Sequence, residues 1–94
     1  MIEYLYDVIR ATSGQDIVVN AVITTDDGDN YEEGCGLRLY DDEKMLFRVA
    51  GTFDGEQWSF RIPAENTEGL VGRYWYCICH NNNNLCFKTP FYLK

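Results

Sequence analysis

The sequence predicts an all-β chain folded as an antiparallel sandwich of about seven short strands, and three observations lead there. Apolar side chains recur at every second position in segments spaced about 8 to 12 residues apart. Clusters of Gly, Asp and Asn separate those segments. No apolar stripe at helical spacing is long enough for a full helix. A small barrel would carry similar marks, but strands with one apolar and one mixed face fit two sheets packed on their inner faces and wet outside.

Composition bounds the rest. The 94 residues make one domain, 1–94, and 14 aromatics (seven Tyr, five Phe, two Trp) favour a packed β fold over disorder. A net charge of -7 argues against nucleic acid or an anionic membrane as partner, since both would be repelled. No apolar run approaches the roughly 18 residues of a membrane span. The first ten residues have neither the basic start nor the small-residue cleavage site of a signal peptide, so synthesis in the cytosol is expected and the four cysteines are expected to stay reduced.

In order, Ile2 to Ile9 reads as a first strand, broken by Thr12 to Asp16. Asp16 to Thr25 alternates most cleanly, with Ile17, Val19, Ala21 and Ile23 on one face. An acidic loop from Asp26 to Gly34 leads to Cys35–Tyr40, with Cys35, Leu37 and Leu39 inward. After a turn at Asp41 to Lys44, Met45 to Thr52 has Met45, Phe47 and Val49 on one face. Asp54-Gly55 is a hairpin signal before Gln57 to Ile62, where Trp58, Phe60 and Ile62 alternate with polar residues. Ala64 to Glu68 suits a single helical turn.

The segment Gly69 to Leu93 reads as a hairpin. Tyr74, Tyr76, Ile78 and His80 share one face of its first arm, and Arg73, Trp75, Cys77 and Cys79 the other. The second arm sets Leu85, Phe87, Phe91 and Leu93 against Cys86, Lys88 and Tyr92. Asn81 to Asn84 supply about a four-residue loop, a register that would put Cys79 opposite Cys86. The expected core is Ile17, Val19, Leu37, Phe47, Trp58, Phe60, Tyr74, Tyr76, Ile78 and Phe87.

Gly14-Gln15-Asp16 before an alternating strand, an Asp-Gly loop, Leu-Arg-Leu-Tyr-Asp from Leu37, and Pro63 with Thr67-Glu68-Gly69-Leu70 ahead of Gly72-Arg73-Tyr74-Trp75-Tyr76 run in order along nearly the whole chain. In this order they resemble the immunoglobulin-like domain of phage and prophage tail or baseplate proteins, and the amino-terminal domain of baseplate upper proteins in particular. That resemblance implies an immunoglobulin-like sandwich, a structural role in a virion, and other phage or prophage structural proteins as partners, with a homo-oligomer also open.

Candidate chemistry is sparse. Cys77, Cys79, His80 and Cys86 offer zinc-type ligands, but on a strand Cys79 and His80 point to opposite faces, and the same geometry defeats a Cys-His nucleophile pair. Asp26, Asp27, Asp29, Glu32 and Glu33 offer hard oxygens without the spacing of a calcium loop, so a solvated turn is expected. No metal, cofactor or catalytic residue is expected, and the chain reads as non-enzymatic. Arg73, Trp75, Lys88, Tyr92 and Tyr40 are the expected contact residues, since aromatic and cationic side chains opposite a core face suit a protein interface. The alternative is a small carbohydrate-binding module that stacks sugars on the exposed aromatics.

Overall fold

The computed structural model describes residues 8–25, 27–85 and 88–94. Its elements are β1 (Ile9–Ala11), β2 (Ile17–Ala21), β3 (Cys35–Asp41), β4 (Lys44–Phe53), β5 (Trp58–Ile62), α1 (Ala64–Thr67), β6 (Gly72–His80), β7 (Asn83–Asn84) and β8 (Thr89–Leu93). The fold is all-β. One hydrogen-bonded path of strands, β1-β8-β6-β3-β4-β5-β2 with β7 beside β6, curls nearly into a barrel.

β4 holds the path together. Its first part, Lys44 to Ala50, pairs with β3, and Gly51 to Phe53 pair with β5. The two hairpins on either side of it are local, and each turn has a chemical cause. Asp42 takes a left-handed φ of 52° between β3 and β4. Between β4 and β5 the Asp54 carboxylate accepts the Glu56 and Gln57 N–H groups at 2.9 and 2.8 Å, and Gly55 supplies a φ of 104°. Asp16 ties β2 to the end of β5: its carboxylate pairs with Arg61 at 2.7 Å and accepts the Ala64 N–H, which opens the single turn α1. Thr67, fully buried at the end of that turn, accepts the Gly14 N–H at 3.0 Å.

The alternation of β2 and β5 is as expected. Ile17, Val19 and Ala21 pack against the core while Val18 is 61% exposed, and Trp58, Phe60 and Ile62 are buried. Leu37, Tyr76 and Ile78 of the expected core are also buried, with Phe47 and Tyr74 packed at its margin; Phe87 lies outside the described residues. Aromatic rings knit the centre, Tyr76 meeting Phe91 edge-on at 6.0 Å and Trp58 stacking on Phe60 at 6.3 Å.

Four expectations are corrected. The sheet is not wholly antiparallel: among the described residues eight strands form, and β1 runs parallel to β8. The clean strand that starts at Ile17 stops at Ala21; beyond it the chain doubles back, with Tyr31 N–H on the Ile23 carbonyl. Met45 is 48% exposed instead of inward, because a bulge puts Leu39 opposite Phe47 but Tyr40 opposite Met45, and the extra residue moves Met45 to the other face. The asparagine loop holds two residues, not four. Asn83 and Asn84 pair with β6, so Cys79 faces Asn84 rather than Cys86, which itself lies outside the described residues. The first strand expected over Ile2 to Ile9 falls almost wholly outside them too.

Candidate functional site

Strand alternation and register build one distinctive surface, the outward face of the sheet β1-β8-β6-β3-β4. Arg73, Trp75, Cys77 and Cys79 point outward from β6, and Gly36, Arg38 and Tyr40 do so from β3. Pairing then aligns them in rows. Arg10, Tyr92 and Arg73 form one row; Pro90, Trp75 and Tyr40 the next; Cys77, Arg38 and Arg48 the third; Cys79, Gly36 and Ala50 the last.

Cations lie over the rings of this face. The Arg10 guanidinium sits 4.5 Å from the Tyr92 ring centre, Arg73 5.1 Å from Trp75, and the Lys88 ammonium 4.6 Å from Tyr40. Each such contact contributes on the order of 0.5–1 kcal/mol where solvent reaches it, enough to bias side-chain positions and little more. Lys88 also donates to the Asp42 carbonyl at 2.8 Å. Asn84 links two strands: its Oδ1 accepts from Arg38 at 3.1 Å and its Nδ2 donates to the Tyr40 hydroxyl at 3.2 Å.

The five residues expected to form a contact surface are thus brought onto one face. Arg73 is exposed, and Trp75, Lys88 and Tyr92 are half-buried. Tyr40 is a correction, being only 8% exposed, because Lys88 and Asn84 close over it. Cys77 and Cys79 also point outward yet are buried. Arg38 starts on β3 and reaches Asn84 on β7, so its side chain crosses β6, the strand on which they sit. Beside them the Arg48 guanidinium lies flat on Gly36, where a Cβ would come within 2.6 Å of Cζ. Cys35 and Cys79 are free thiols, and burial pushes the Cys35 thiol upward.

Arg10, Arg38, Arg48 and Asn84 join this surface without having been singled out from the sequence. Alternation alone turns Arg38 outward in Leu37-Arg38-Leu39, but its position directly opposite Arg48 depends on the β3–β4 register. His80 ends β6 with its ring 4.6 Å from that of Tyr31, a packing contact. Asp27, Asp29, Glu32 and Glu33 are exposed, and among the described residues no three His, Cys, Asp or Glu side chains converge as metal ligands.

Charge is sorted across the molecule. Five of the eight cations (Arg10, Arg38, Arg48, Arg73 and Lys88) belong to this face or its border, and no outward strand position in its rows holds Asp or Glu. The one ion pair among the described residues, Arg61 with Asp16, lies elsewhere. No family model matches the chain, and no curated protein does either.

Proposed function

We propose that the chain is a non-enzymatic assembly domain, an immunoglobulin-like sandwich of a phage or prophage tail or baseplate, that holds other structural proteins against the outward face of β8, β6 and β3. The observation that carries this reading is the gathering of Arg73, Trp75, Tyr92 and Arg38 on one sheet face, since Arg, Trp and Tyr are the side chains that dominate protein interfaces. The two-layer sandwich is supported by β4, which leaves β3 for β5 and so divides the strands into two groups. The order of motifs along the chain supports the particle setting. A sugar platform is disfavoured, because the rings of Trp75, Tyr92 and Tyr40 each carry a cation where a sugar would stack.

The test replaces Arg73 with Glu and, separately, Trp75 with Ala, and measures folding by circular dichroism and capture of the purified products of the neighbouring genes. Loss of capture with the fold retained is expected. Folded variants that keep every protein association but lose binding to oligosaccharides would establish the carbohydrate module instead.

A further inference from the structure

We infer that the outward face recognises its partner through carboxylates: it receives an acidic polypeptide segment whose Asp or Glu side chains lie over Arg38 and Arg48. This deepens the assembly reading and rests on it. Arg38 and Arg48 stand directly opposite one another across β3 and β4, an arrangement that is unfavourable for like charges unless an anion joins them. Neither has a carboxylate within ion-pair distance among the described residues. Their neutral partners are few. Arg38 donates to Asn84, with its buried Nε left unpartnered among the described residues, and Arg48 makes one long contact of 3.4 Å to the Gly34 carbonyl. Each guanidinium carries five donors in a fork that matches a carboxylate, and among the described residues only one donor of each has a partner.

Width and charge define the ligand further. Four inter-strand steps separate β1 from β4, which at about 4.8 Å each makes a surface roughly 19 Å across. An extended segment of about six residues covers that span, whereas a single small anion does not. Arg10, Arg73 and Lys88 border the central pair, each held over an aromatic ring of the same face. The overall charge of -7 does not forbid an acidic partner. Screening over about 8 Å at physiological salt mutes the carboxylates on the far side, while a carboxylate in contact with Arg38 and Arg48 lies well inside that distance and still feels them.

The test uses the full chain and two labelled twelve-residue peptides, one alternating Glu and Ser and one alternating Gln and Ser, followed by fluorescence anisotropy. The Glu peptide is expected to bind, to weaken about tenfold or more when salt rises from 50 to 500 mM, and to weaken at least as much in the Arg38→Gln/Arg48→Gln variant. Arg48→Gln alone, at an exposed side chain, serves if the double variant does not fold. Equal binding of the Gln peptide, no binding of either peptide, or unchanged affinity in a folded variant would overturn the inference. So would tighter binding to a sulfated oligosaccharide, or self-association by sedimentation that vanishes in the Arg48→Gln chain. Should the neighbouring-gene proteins still be captured by Arg38→Gln/Arg48→Gln but not by Arg73→Glu, the assembly reading stands and the carboxylate recognition falls.

Discussion

Gly51 marks the place where β4 passes from one partner strand to the other, and the space around it shows how tightly the core is closed there. A Cβ on Gly51 would lie 2.5 Å from Cε1 of Phe60 and 2.7 Å from Cε3 of Trp58, two rings that are themselves buried. Gly51→Ala should therefore destabilise by about 1–3 kcal/mol through overpacking. Phe60→Ala, at a fully buried ring, should cost about 3–5 kcal/mol through the opposite fault, a cavity. Urea unfolding checks both, and wild-type midpoints would show that the packing at this corner is misassigned. The alternation of Trp58, Phe60 and Ile62 made their burial legible in the sequence. The need for glycine at 51 was not, because it depends on rings seven and nine positions away that only the β4–β5 register brings close.

Among the elements, the β4–β5 hairpin was the most legible, because Asp54-Gly55 carries its turn chemistry in its own residues. The N–H groups of Gln57 and then Glu56 hold the Asp54 carboxyl below its ordinary value of 3.8. A carboxyl lowered in the folded state stabilises fully above its ordinary value, and that contribution is lost as pH falls through the lower native value. Asp16, held down first by Arg61 and then by the Ala64 N–H, acts in the same direction. Asp54→Asn keeps an acceptor but no titration, so its stability should fall less steeply than wild type between about pH 4 and pH 2; identical acid limbs in thermal melts would count against this role. The β6–β7 hairpin was legible in kind but not in length. Four asparagines are equally able to turn, and the choice is made by pairing: Asn81 alone takes a left-handed φ of 54°, its N–H reaches the Gly34 carbonyl, and the Leu85 N–H reaches the Ile78 carbonyl. Met45 was misread for a related reason, since a bulge shifts phase without leaving a mark in the hydrophobic pattern.

At the scale of the whole molecule, the strand-rich class and most of the core followed from periodicity, whereas the candidate site was only half visible. Arg73, Trp75, Lys88 and Tyr92 could be placed opposite a core face from a single hairpin. Arg10, Arg38 and Arg48 come from three other strands, and their convergence is a property of strand order. The partnership of β1 with β8 was out of reach for the same reason, since nothing in either segment encodes a contact across some eighty positions. That parallel pair has a mechanical consequence. Its ladder runs from Ile9 beside Phe91 to Ala11 beside Leu93 and is prolonged by Lys94, whose N–H reaches the Ala11 carbonyl at 3.1 Å and whose carbonyl takes the Ser13 N–H at 3.1 Å. Because the strands point the same way, tension applied before Ile9 and at Lys94 slides them past each other and loads those hydrogen bonds together, instead of peeling them one by one. Stretched between its two flanks by a force probe, the domain should yield in one abrupt step. A Ser13→Pro substitution deletes both the N–H and the hydroxyl that donate to the Lys94 carbonyl, and should lower the rupture force while leaving the hairpins of β3 to β6 intact.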